Sequence, residues 1–221
     1  MQVLFEDNHL LVVQKPAGLP TMGVAAGEKS LLTVAKEYIA KKYQKPGNVY
    51  LGVVSRLDTP TTGVVVIART SKAADRLNVQ FREHNVRKVY YAVVSGRLCP
   101  EEGSFIDRIA EEKRHRKMFI TKNPSLNAVT GILHYRTVKY NNSFQQSLLE
   151  ILLETGRKHQ IRVQMSYHGH PIVGDRKYGS SVSFPVGIAL HAKELTIRHP
   201  ISQELMTFVA PFPRTWKEWE S

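Results

Sequence analysis

The run Val64-Val65-Val66-Ile67-Ala68 limits the fold of this 221-residue chain more than any other feature. It is apolar without interruption, so it reads as a strand buried on both faces of its sheet. Its surroundings are punctuated clearly. Leu10–Val13 is a short apolar strand that ends in the turn Lys15-Pro16-Ala17-Gly18. Ser30 caps a helix through Tyr43 with Leu31, Val34, Ala35 and Tyr38 on one face, and Lys45-Pro46-Gly47-Asn48 breaks it. Tyr50–Leu57 reads as a strand, and Ser71 as the cap of a helix carrying Ala74, Leu77, Asn78 and Phe81.

Farther on, Lys88–Ser95 is an alternating strand, with Tyr90 and Tyr91 on opposite faces. Strands are expected at Gly131–Val138, Ser147–Glu154, Ala192–Ile197 and Leu205–Val209. Thr155 is the expected cap of a helix over Arg157–Tyr167, and the chain ends on a short amphipathic segment with Trp216 and Trp219. Strands outnumber helices and the two do not strictly alternate. That pattern predicts an α+β fold with a mixed sheet, not a doubly wound one.

Lys and Arg together number 31 and Asp and Glu 19, a formal net charge of +12. That balance favours a polyanionic partner: RNA, DNA or acidic lipid. No uncharged stretch reaches the ~18 apolar residues of a membrane span. Glu6 and Asp7 stand where a signal peptide needs basic residues, so no export is expected. A single cysteine, Cys99, forms neither an intrachain disulfide nor a multi-cysteine zinc site. The expected compartment is the cytoplasm, and the expected state a monomer without membrane contact.

Common chemistries drop out by pattern. There is no G-x-G-x-x-G, no Walker A lysine, no H-E-x-x-H and no G-x-S-x-G elbow. Gly174-Asp175-Arg176-Lys177-Tyr178-Gly179 has the Walker glycine spacing, but Ser180 stands where lysine must be. His159, His168, His170 and His191 read as turn or core hydrogen-bonding groups.

Four stretches carry chemistry. In Ser55-Arg56-Leu57-Asp58-Thr59-Pro60-Thr61-Thr62-Gly63 an aspartate sits at a strand end. If Leu57 enters the core, Arg56 and Asp58 both point out of it. A carboxylate presented this way can act as nucleophile, base or cation stabiliser, or simply close an Asx-type turn. Thr155-Gly156-Arg157-Lys158-His159-Gln160-Ile161-Arg162 gathers cations at a helix start, fit to bind phosphate or simply to form a solvated basic face. Lys88-Val89-Tyr90 offers a tyrosine that packs in the core or stacks on a base. Lys113-Arg114-His115-Arg116-Lys117 is expected to be an exposed loop able to track a phosphate backbone.

Together these pieces resemble the RluA-type pseudouridine synthases, which isomerise uridine to pseudouridine in RNA. The family's H-R-L-D-x-x-T-S-G is similar to Ser55–Gly63, and its K-x-Y-x-A-x-V-x-G to Lys88–Gly96. Its G-R-T-H-Q-I-R-V-H followed by G-H-P-I-x-G-D-x-x-Y-G is similar to Gly156–Gln164 and Gly169–Gly179. The departures are Ser55 for histidine, Thr62 for serine, Lys158 for threonine or serine, and Gln164 for histidine. The resemblance covers nearly the whole chain. It implies a single catalytic domain over 1–221 without the S4-like RNA-binding domain of many relatives, built on a mostly antiparallel central sheet with flanking helices and loops.

The resemblance also implies roles. Asp58 is the catalytic aspartate, attacking C1′ or taking a C2′ proton. Arg162 ion-pairs with it, and Tyr90 stacks on the target base. Arg56 fills the gap left by the flipped nucleotide. Lys15 and Arg157 give support, and Lys113, Arg114, Arg116 and Lys117 bind the RNA backbone. The isomerisation involves no net redox change or hydrolysis, so neither metal nor cofactor is expected. Large-subunit ribosomal RNA is the expected substrate, with transfer RNA as the alternative. Two rivals are a non-catalytic RNA-binding or ribosome-assembly protein on the same fold and a DNA-directed base-excision enzyme.

Overall fold

A computed structural model describes residues 1–25, 27–115 and 117–219. The elements in chain order are β1 (Gln2–Glu6), β2 (Leu10–Lys15), α1 (Leu31–Lys42), β3 (Gly52–Val53), β4 (Thr62–Ala68), α2 (Ser71–Arg82) and β5 (Arg87–Ser95). There follow β6 (Glu102–Glu112), β7 (Lys117–Ile120), β8 (Val129–Asn141), β9 (Gln146–Leu153), α3 (Gln160–Tyr167), β10 (Leu190–Arg198) and β11 (Leu205–Val209). Short 3-10 helices cover Arg176–Tyr178, one turn, and Arg214–Trp219, about two turns. The chain forms two compact units. The first is Met1–Arg87 with Ala192–Arg214; the second is Lys88–His191 with the residues from Thr215 onward. Among the described residues no helix is long and apolar enough to cross a membrane.

In the first unit β2 pairs antiparallel with β1 and with β4, and β11 with β10. Every residue of β4 is buried, as its uninterrupted apolar sequence predicts. Leu11 and Val13 of β2 lie opposite Ile67 and Val65 of β4, and all four pack with Leu31, Ala35 and Ile39 of α1. Their alternates Leu10, Val12, Val64 and Val66 are buried as well, so this part of the sheet is covered on both sides. Helix α1 starts at a capping box: Ser30 accepts from the Thr33 N–H, and Thr33 accepts from the Ser30 N–H. Helix α2 is capped by Thr70, whose side chain accepts from the Ala73 N–H; Ser71, the expected cap, is the first helical residue. The expected strand Tyr50–Leu57 shrinks to Gly52–Val53. Beyond it, side chains replace the ladder: Ser55 Oγ bonds the Val66 N–H and carbonyl, and Thr21 Oγ1 bonds the Leu57 N–H and carbonyl.

In the second unit the strands pair antiparallel in the order β5-β9-β8-β6-β7. Strand β6 has eleven residues and was not expected, because its acidic residues and irregular burial hide any period. Helix α3 packs against β6 and β7. It begins at Gln160, three residues later than expected, after His159 in a left-handed conformation. Thr155 is not its cap; Thr155 Oγ1 donates to Gln160 Oε1 and accepts from the Ile132 N–H. Trp216 and Trp219 are buried, as their amphipathic spacing predicts.

Candidate active site

Asp58 and Arg56 belong to the first unit; Tyr90, Arg157, Arg162 and the basic run belong to the second. Asp58 opens a turn closed by the Thr61 N–H donating to the Asp58 carbonyl, 3.0 Å. Leu57 beside it packs on the core of β2, β4 and α1, while Arg56 is exposed and Asp58 half-buried. The turn is tied down by Lys15, which is 0% exposed. Its ammonium donates to the carbonyls of Pro16, Leu19 and Thr59 at 2.9, 2.8 and 3.1 Å. The Gly18 N–H donates to the same Thr59 carbonyl at 2.9 Å. Burial pushes the Lys15 ammonium down to about 8, and the neighbouring charge of Asp58 acts the other way. The end of β2 and the Asp58 turn are thus braced together through the Thr59 carbonyl.

Gly63 ends that loop at φ +124°, and a Cβ there would lie 2.2 Å from the Ala192 carbonyl oxygen. Only glycine lets β4 start this close to β10.

In the second unit Arg162 is 5% exposed and grips Asp175, which is 1% exposed. Nε donates to Oδ2 at 2.7 Å and a terminal nitrogen to Oδ1 at 2.9 Å, a bidentate pair. The ring of Tyr178 lies 5.0 Å from the guanidinium. Its hydroxyl is fixed in turn by the Met118 N–H at 3.0 Å and by His159 Nδ1 at 2.8 Å. Asp175 and Tyr178 lie at the D and Y of the motif matched over Gly169–Gly179, but the sequence assigned neither of them a role. Gln164, where the family has histidine, is fully buried, and its amide donates to Asp107 and to the carbonyls of Phe105 and Gly131.

Tyr90 is half-buried on β5 opposite Ile151, and the neighbouring Tyr91 donates instead to Glu150. Arg157 is exposed and donates from Nε to the Thr130 carbonyl at 3.0 Å. Lys113 and Arg114 are exposed in the turn between β6 and β7. Lys117 is not in that loop: it starts β7, with its ammonium 5.4 Å from the Tyr178 ring. Arg116 lies outside the described residues. Lys158 faces away into a surface ion pair with Glu111. His159, His168 and His170 are hydrogen-bonding groups as expected, with partners distant in sequence: Tyr178, Asp107 and the Ser95 carbonyl.

Residues 9–167 match the family of RNA pseudouridylate synthases. The chain belongs to that family. It is an isomerase of RNA uridine, and its relatives agree. An uncharacterized RNA pseudouridine synthase of Bacillus subtilis (strain 168) is 34% identical over 98% of this synthase and 70% of the relative. The ribosomal large subunit pseudouridine synthase D of Zymomonas mobilis is 34% identical over 97% of this chain and 70% of its own. The tRNA pseudouridine synthase C of Pectobacterium carotovorum is 31% identical, and the synthase spans 60% of its length. Among solved structures, human RNA pseudouridylate synthase domain containing 4 superposes with a TM-score of 0.81 at 25% identity, over 98% of this chain and 90% of that one. The α+β fold is that of the pseudouridine synthases.

Proposed function

We propose that the synthase modifies uridine in large-subunit ribosomal RNA, with Asp58 as its acting carboxylate. The braced Asp58 loop carries this reading: Lys15 donates to the Thr59 carbonyl of that loop and to the Pro16 and Leu19 carbonyls of its own turn, and its ammonium lies within electrostatic reach of the carboxylate. Three relatives at 34 to 36% identity that bear the name of a large-subunit synthase support the substrate.

The target uridine flips out of its stack, and Arg56, exposed in the segment before the Asp58 turn, takes its place. Tyr90 stacks on the base. Asp58 then attacks C1′ or removes the C2′ proton as the N1–C1′ bond breaks. The uracil turns, and the C5–C1′ bond forms as the Asp58–C1′ ester breaks or, on the other route, as C2′ regains its proton from Asp58; C5 then gives up its proton and N1 gains one. Product and substrate have the same composition, so no redox partner enters. Arg162, fixed between Asp175 and Tyr178, supplies a positive charge that cannot reorient, which suits support of a carboxylate.

The test uses purified synthase on unmodified ribosomal and transfer RNA transcripts, with pseudouridine mapped by carbodiimide. Wild type is expected to modify a defined ribosomal site. Asp58→Asn should bind equally and form none. Turnover by Asp58→Asn would refute its role, and modification of transfer RNA alone would replace the ribosomal substrate.

A further inference from the structure

We propose that Lys88, Gly156 and Arg157 form a seat for one phosphate of the RNA backbone beside Tyr90. The inference rests on the RNA-substrate reading above but not on the role given to Asp58.

Lys88 lies next to the N-terminal end of β5, one residue before the pairing with β9 starts at Val89, and is 9% exposed. Its ammonium has three donors, and among the described residues it makes a single long hydrogen bond, 3.4 Å, to the Glu154 carbonyl. Among the described residues it forms no ion pair with a carboxylate. The charge acting on it is instead another cation, Arg157, and burial together with that neighbour pushes it down to about 8. Two cations held together in a half-dry place without an anion are costly unless an anion joins them.

The backbone there is preset. Gln160 Oε1 accepts from the Arg157 N–H at 2.9 Å and from Thr155 Oγ1 at 2.8 Å, and Gln160 Nε2 donates to the Ile132 carbonyl. The turn between β9 and α3 therefore has its shape before any ligand arrives. Gly156 sits in it with an ordinary φ, so the chain does not need glycine for its conformation. The one group a Cβ would meet within 4 Å is the Lys88 ammonium, at 3.6 Å. The missing side chain leaves open the side from which the ammonium can be reached.

Lys88 and Tyr90 are two residues apart on one strand, so they share a face with a rise of ~6.6 Å between them. That is about the reach from a nucleobase to a backbone phosphate. A base stacked on Tyr90 would bring its own or the adjoining phosphate to Lys88 and Arg157. The charge-assisted bonds would fill the empty donors of the ammonium.

The experiment is an NMR titration of the Lys88 ε-carbon in 13C-lysine-labelled Asp58→Asn protein, with the signal assigned by its loss in Lys88→Gln. The midpoint is read alone, with inorganic phosphate, and with a saturating uridine-containing stem-loop RNA. RNA is expected to raise the midpoint by at least one pH unit. An unmoved midpoint with bound RNA overturns the proposal, and so does a rise with inorganic phosphate alone. In active protein, Lys88→Gln should raise KM at least tenfold and lower the slope of log KM against log salt by about one. An unchanged slope would overturn it. Because the titration needs no turnover, failure of the Asp58 assignment leaves this result readable.

Discussion

Gly63 shows how a single residue sets the geometry of the Asp58 loop. Its φ of +124° is closed to L side chains, and the space for a Cβ is filled by the Ala192 backbone. Gly63→Ala is expected to cost about 3 kcal/mol through strain and overlap together. Urea unfolding would show it as a lower midpoint with an unchanged m-value. A neutral substitution would mean that the start of β4 is free to move. Neighbouring residues differ in how readable they were. Asp58, Tyr90 and Arg162 stood out because their motifs are local. Asp175 and Gln160 fall in the same motifs but were given no role, because a buried carboxylate or amide gains its role from the partner it meets across the fold.

At the scale of elements, side-chain hydrogen bonds decide where strands and helices stop. Thr70 and Ser71 are adjacent hydroxyl residues, and both satisfy the sequence rule for a helix cap. Thr70 has the extended backbone at φ −137° and ψ 153° that lets its oxygen meet the Ala73 N–H. Thr70→Ala should therefore lower stability by ~1 kcal/mol, while Ser71→Ala should stay within ~0.5 kcal/mol. Equal losses would reassign the cap. Strand β6 illustrates the opposite case. Its own sequence is too acidic and irregular to announce a strand, and it is held by β8 along one edge and β7 along the other.

For the whole molecule, two buried lysines and the net charge of +12 set the response to solution conditions. Lys15 and Lys88 hold their protons to 10.5 in the unfolded chain; folded, burial brings both to about 8. Between those values the unfolded chain binds more protons, so each lysine makes stability rise with pH across that window. The stability of wild type relative to Lys88→Met should therefore improve between pH 8 and 10.5, read from urea midpoints at each pH. A flat difference would mean that Lys88 keeps its proton. The excess of cations should make RNA affinity fall ~10³-fold or more between 50 and 200 mM salt. A shallow decline in a filter-binding titration would limit the phosphate contacts to a few.

The sequence by itself determined the α+β class, the doubly buried strand β4, the first helix with its cap, and the motifs that mark the family. Those are short-range signals: an apolar run, a hydroxyl three residues before an N–H, glycines at fixed spacing. Only the tertiary structure decided that Lys15 is a buried brace and that Arg162 is clamped by Asp175 over Tyr178. It also decided that Lys88 has donors to spare beside Arg157. Whether a charge is solvated, paired or left with open donors depends on which backbone and side chains the folded chain brings to it, and no local pattern records that.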